Sequence, residues 1–211
     1  MARYKIEGMP GYTQFDNELF PDGTCNTTSV AMVVDYFHYG VVKGPYARTA
    51  DNLTYYCTQH KLDRHELAVL DQLLEKFGVS DESSFTTSMD ELKAWLRSGK
   101  PAIVQGEFTD SGHIMVVLGY DEEKGVFICN DPAGTWRPVF HYGGEGWTPG
   151  YGVEYPSAWF RAKAAPDGNV WAHLCSFDHS KPLALETPKT PAKPAVKPAA
   201  ALTGKPTLKK Q

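Results

Sequence analysis

The order of patterns along the chain predicts an α+β protein. Three amphipathic helical stretches occupy the first half, three short apolar β-branched runs follow them, and a lone hairpin signal joins two of those runs. Helices first and strands afterwards call for an antiparallel sheet with a helix packed against it.

The first helix is expected over residues 24–39. Val30, Val33, Val34 and Phe37 recur at helical spacing, and Gly40 follows the pattern's end. A second is expected over residues 63–77, where Asp63 and Glu66 have capping-box spacing. Leu67, Leu70, Leu73, Leu74 and Phe77 form its apolar stripe, and Gly78 stops it. Ser88 and Glu91 open a third, which carries Leu92, Trp95 and Leu96 and closes at Gly99. The strands are expected at residues 101–108, 113–120 and 126–130, with residues 121–125 as a hairpin loop between the last two. Residues 134–160 are dense in Gly, Trp, Tyr and Pro and read as long loops with one or two strands. No internal repeat is visible.

The chain has 211 residues, 42% of them hydrophobic and 22% charged, enough for one sizeable core. The body is expected to span residues 1–180. Residues 181–211 form a tail rich in Pro, Ala and Lys, expected to be disordered or a semi-rigid spacer. The tail carries seven lysines against Glu186 alone, a net +6, so the overall −4 leaves −10 on the body. An acidic body offers no basic face for nucleic acid. The tail reads as a solubilising extension or, alternatively, as an electrostatic tether to an anionic surface such as cell wall, nucleic acid or an acidic partner. No apolar run of about 18 residues is present to span a membrane. Residues 1–7 lack the features of a secretory signal, so the expected location is cytoplasmic, or the cell wall if another factor releases the protein. Cys25, Cys57, Cys129 and Cys175 are widely spread, which suits reduced thiols better than a disulfide framework.

Cys25 stands out among the four. It lies where a turn, Gly23-Thr24, runs into the first helix, and the positive end of the helix dipole there favours a thiolate. Such a nucleophile needs a base, and the base needs an orienting group. His113, at the start of one strand behind Gly112, and Asp131, at the end of its hairpin partner, are brought side by side by the tight 121–125 loop. The competing readings are a buried inert thiol, a polar strand-start residue and a turn-forming Asp-Pro step.

Gln14-Phe15-Asp16-Asn17, then Gly23-Thr24-Cys25 with Thr28-Ser29-Val30-Ala31-Met32, then Gly112-His113 running to Tyr120-Asp121, then Asn130-Asp131-Pro132-Ala133-Gly134 resemble the C39-like cysteine peptidases. That family belongs to the papain-like thiol hydrolases. The resemblance covers residues 10–160. It implies a papain-like fold, with the nucleophile on the N-terminal helix, and a triad of Cys25, His113 and Asp131 that cleaves an amide bond. It also implies an upstream amide side chain beside the Cys25 N–H to hold the oxyanion. Gln14 matches in motif but stands eleven positions before Cys25, a longer interval than papain-like enzymes usually show, so Asn17 is a second candidate. The substrate is then a peptide or protein. The alternatives are a peptidoglycan hydrolase of lysin type, acting on cell-wall peptide, and a non-catalytic peptide-binding module of the same fold.

Cofactors and metals are not expected. Cys57, His60 and His65 lack the paired spacing of a zinc site, and the sequence reads as a helix-flanking loop. Gly143-Gly144-Glu145-Gly146 lacks the lysine and following helix of a phosphate loop. His38, His141, His173 and His179 show no partner pattern. Trp136, Trp147, Tyr151, Tyr155 and Trp159 either line a substrate groove or pin loops to the core.

Overall fold

A computed structural model describes residues 2–38, 42–135 and 150–177. The tail at 181–211, the glycine turn at 143–146, His141, His179, Trp136 and Trp147 lie outside the described residues. Among those described, no helix is long and apolar enough to cross a membrane.

Among the described residues the fold is α+β, with five α-helices and an antiparallel sheet of seven strands. In chain order the elements are β1 (Arg3–Lys5), α1 (Cys25–His38), α2 (Thr49–His60), α3 (Leu67–Lys76), β2 (Val79–Thr87) and α4 (Met89–Arg97). They continue with β3 (Ala102–Gly106), β4 (His113–Asp121), β5 (Val126–Asn130), β6 (Val153–Pro156), α5 (Ser157–Ala164) and β7 (Val170–Phe177). The strand order is β2-β7-β3-β4-β5-β6, and β1 pairs with the far end of β4.

All nine residues of β4 are buried, because helices cover the sheet on both faces. Ile114, Val116 and Leu118 pack with Val30, Val33 and Val34 of α1 and Leu70, Leu73 and Leu74 of α3. Met115 and Val117, one residue out of phase, pack with Leu92 and Leu96 of α4 and Phe160 of α5. This explains why β4 reads as an unbroken apolar run. Each large side chain removed from water there contributes about 1.5–3 kcal/mol, so β4 anchors both layers.

The third expected helix starts as its capping box predicts: Ser88 Oγ accepts from Glu91 N at 3.2 Å while Glu91 Oε2 accepts from Ser88 N at 2.7 Å. The second does not. Asp63 Oδ1 is taken by the backbone N–H of His65 at 3.0 Å and by its ring at 2.8 Å, so Asp63 forms a turn of its own. The helix begins four residues later, after Glu66.

Three elements differ more from expectation. Cys57 and His60 are part of α2 rather than a loop, and Cys57 is buried. The buried face of α2 includes Thr49, Asp51, Asn52 and Thr54, which hides its amphipathicity from an apolar-periodicity reading. β2 is a polar edge strand, Val-Ser-Asp-Glu-Ser-Ser-Phe-Thr-Thr, held by pairing with β7 some ninety residues on. His173 on β7 has a partner after all: it is buried and hydrogen-bonded through Nδ1 to Asp81 Oδ2 of β2.

Candidate active site

Cys25 opens α1 on a collar of polar residues that water does not reach. Asn26, Thr27, Thr28 and Ser29 are at most 1% exposed. Each must find a partner within the protein, and each partner lies on a different element. Thr27 Oγ1 meets Thr54 Oγ1 of α2 at 2.8 Å, and Ser29 Oγ donates to the Ile114 carbonyl of β4 at 3.3 Å. Asn26 Nδ2 donates to the Arg64 carbonyl ahead of α3 at 2.9 Å. Thr28 Oγ1 accepts from Asn17 Nδ2 at 2.9 Å. The run Asn-Thr-Thr-Ser therefore fixes the helix start in four directions and sets the thiol against the beginning of β4.

His113 follows Gly112, whose φ of +79° lies in the left-handed region that favours glycine. The turn before it is closed by Gly112 N donating to the Thr109 carbonyl at 3.0 Å and Thr109 Oγ1 donating to the Gly112 carbonyl at 2.6 Å. The β4–β5 ladder pairs Gly119 with Ile128 but Val117 with Cys129, a one-residue shift at Leu118. Carried on past Val116↔Asn130, that register sets Asp131 opposite Met115 and makes His113 its diagonal neighbour on the same side of the pleat. An unbulged hairpin would put the two side chains on opposite sides.

His113 Nε2 lies 2.7 Å from Asp131 Oδ1, with both side chains almost fully buried. Asp131 is held on every side. Oδ1 also accepts from Ala133 N at 2.9 Å, Oδ2 accepts from the Tyr155 hydroxyl at 2.6 Å, and its own N–H donates to the Gly150 carbonyl at 2.7 Å. The His113 side chain is also hydrogen-bonded to the Cys25 thiol.

The electrostatics push the pair toward charge separation. Burial works against both ions and is the largest single influence on each. At Cys25 it is outweighed by the hydrogen bond and charge of His113 and by backbone amides of Ile114 and Asn26, so the thiol is held below its ordinary value. At His113 the charge and hydrogen bond of Asp131, helped by Cys25, raise the imidazole to about 10. The other thiols go the opposite way: burial pushes Cys57 up to about 11 and raises Cys129 and Cys175 well above the ordinary value.

The two amide candidates separate by their partners. Asn17 Nδ2 donates to Thr24 Oγ1 and Thr28 Oγ1, both at 2.9 Å, which uses both of its hydrogens. Gln14 Nε2 donates once, to the Pro21 carbonyl at 2.8 Å in the loop leading to Cys25, while its Oε1 is buried without a partner. The Gln14 backbone N–H donates to the Pro132 carbonyl beside Asp131 at 2.9 Å. Gln14 thus bridges the loop before Cys25 and the loop after Asp131.

The Peptidase_C39 like family model matches residues 6–141. The chain belongs to the Peptidase_C39 like family. Membership makes it a cysteine peptidase-type hydrolase by kinship, with the papain-like α+β arrangement described above. No curated protein matches it. Gln14, Asn17, Cys25, His113 and Asp131 all fall inside the matched segment; Tyr155, on β6, falls outside it.

Tyr155 is a residue beside Asp131 that sequence reasoning did not single out. Tyr155 stood among aromatics read as groove or loop pins, and only the Phe127↔Tyr155 pairing of β5 with β6 brings its hydroxyl to Asp131. Trp159 does serve as a pin, its ring 4.9 Å from that of Tyr155 and 5.5 Å from that of Phe108. Tyr151 is half exposed and sits over Gly11, where an added Cβ would come within 2.4 Å of its ring.

Proposed function

We propose that this chain hydrolyses amide bonds of a peptide or protein through a Cys25, His113, Asp131 triad. The observation that carries the reading is the continuous hydrogen-bonded chain from thiol to imidazole to carboxylate, with thiol and imidazole shifted in opposite directions. A thiolate facing an imidazolium is ready to attack without a prior proton transfer. The Cys25 sulfur bonds to the carbonyl carbon, and the oxygen takes the negative charge. His113 then gives its proton to the leaving nitrogen as the C–N bond breaks, which leaves a thioester on Cys25. Water, losing a proton to His113, displaces the sulfur and releases the acid. Asp131, oriented by Tyr155, keeps the imidazole facing both partners.

We assign the oxyanion donor to Gln14 together with the Cys25 N–H, because Gln14 keeps one amide hydrogen free and Asn17 keeps none. Gln14→Ala is expected to lower kcat by roughly 10²–10³-fold and, through loss of its buried bond to the Pro21 carbonyl, to cost about 1 kcal/mol of stability. Asn17→Ala strands two buried threonine hydroxyls and is expected to cost about 1–3 kcal/mol of stability, read by urea unfolding. A kcat unchanged in Gln14→Ala would move the donor elsewhere.

The substrate test is to incubate the protein with a denatured proteome and, separately, with purified peptidoglycan, and to measure newly formed amines. Cys25-dependent amines from the proteome are expected. Release from the wall preparation alone would make the substrate a cell-wall peptide, and release from neither would leave the fold as a peptide-binding module.

A further inference from the structure

We propose that Arg64 is a specificity-determining residue of this site and recognises a carboxylate on the substrate near the bond that Cys25 attacks. The inference rests on Cys25 being the nucleophile and adds the chemical class of what is cut.

Arg64 lies in the loop between α2 and α3 and touches both flanks of Cys25. Its carbonyl accepts from Asn26 Nδ2 at 2.9 Å, and its Nη2 donates to the Gly23 carbonyl at 3.1 Å. A Cβ at Gly23 would lie 3.6 Å from that same nitrogen. The guanidinium sits over the Phe20 ring, 5.4 Å from its centroid. Phe20 itself is 57% exposed and held at a φ of 50°, a conformation that costs a bulky residue energy and recurs where ligands are clamped.

Among the described residues the guanidinium enters no ion pair, whereas Arg3 pairs with Asp121 and Glu154 and Arg48 with Asp16. Its neighbour Asp63 is turned to His65 instead. The Arg64 Nε is buried with no hydrogen bond, and its side chain makes a single one, to Gly23. A half-buried fork of five donors with one used is matched best by a carboxylate, which takes two parallel N–H bonds. The Phe20 ring beside it offers an apolar wall for the methylenes that carry such a group. An acidic side chain and a free C-terminus present the same chemistry.

The test uses epoxysuccinyl amide peptides, whose epoxide carbon is attacked by the Cys25 sulfur as the C–O bond opens and the oxygen takes the His113 proton. One matched pair differs as Glu against Gln, placed at successive positions. A second differs as C-terminal acid against C-terminal amide. In the wild type the acidic member of one pair is expected to capture Cys25 roughly 10- to 100-fold faster than the neutral member, and to lose part of that advantage in high salt. Arg64→Gln is expected to abolish the preference while the neutral probes react at nearly their wild-type rate, and Arg64→Lys to retain part of it. A purely structural Arg64 would slow both members alike and leave their ratio unchanged. Equal rates for acid and neutral probes in the wild type, or a preference that survives in Arg64→Gln, would overturn the proposal. Absence of capture by every probe would instead remove the nucleophile reading, and this inference with it.

Discussion

Cys25→Ala is expected to lower turnover by at least about 10⁴-fold while leaving the protein folded. The size of the effect follows from the mechanism: without sulfur no thioester forms, and what remains is whatever rate the oxyanion site and substrate positioning give to direct attack by water. The fold should survive because the thiol is only partly buried and the elements around it are held by other groups. Thr27, Thr28, Ser29 and Asn26 keep their links to α2, the Asn17 segment, β4 and the Arg64 loop, and His113 keeps Asp131. A truncation of one sulfur at such a site should cost on the order of 1 kcal/mol, a shift of about 2–4 °C in melting temperature for a chain of this size. Amine release gives the first quantity and circular dichroism the second. Full activity in Cys25→Ala would place the chemistry on another residue.

His113→Ala is expected to change the pH at which Cys25 becomes reactive. In the wild type the thiol is held below its ordinary value, against burial, chiefly by His113. Removing the imidazole leaves burial as the largest remaining influence, so the midpoint for alkylation by iodoacetamide should rise. Each unit by which the midpoint stands above the assay pH cuts the thiolate fraction about tenfold, so labelling at pH 7 should slow. Wild-type Cys25 should also be labelled fastest of the four thiols, since the other three are raised by burial. Turnover in the wild type should be bell-shaped. It falls at low pH as the thiolate takes a proton, and it falls again as pH rises through about 10, where His113 loses the proton that the leaving amine needs. In His113→Ala the loss of proton transfer alone should lower kcat by roughly 10²–10⁴-fold. An alkylation midpoint that does not move would mean that something other than His113 activates the thiol.

Much of this site was legible because its parts are local. A thiol at a helix start, a histidine at a strand start and an aspartate at the end of the partner strand are each placed by short-range signals: a turn into an apolar stripe, two β-branched runs and a five-residue loop. The capping box at Ser88 was legible for the same reason, since it closes within three residues. Asp63 shows how the same signal misleads. A carboxylate with the right spacing took a nearer donor, His65, and the helix began without it.

What escaped the sequence depends on residues far apart in the chain. α2 was hidden because its buried face is polar, and its threonines become interior residues only when α1 offers Thr27 and Asp35 as partners. β2 became a strand through its pairing with β7 and showed no alternation of its own. The choice between Gln14 and Asn17 could not be made from spacing, because it turns on which amide has a hydrogen to spare once Thr24, Thr28 and Pro21 have taken theirs.

The sequence by itself determined the α+β class, the helix that bears Cys25 and the hairpin that bears His113 and Asp131, since periodicity and turn chemistry act over a few residues. Tertiary structure alone decided that a bulge at Leu118 turns His113 and Asp131 to one side, that Tyr155 completes the carboxylate's partners, and that Arg64 reaches the Cys25 loop while entering no ion pair among the described residues. Those outcomes depend on buried polar groups finding partners across dozens of residues, and a buried donor or acceptor takes whichever partner the packed chain brings within reach.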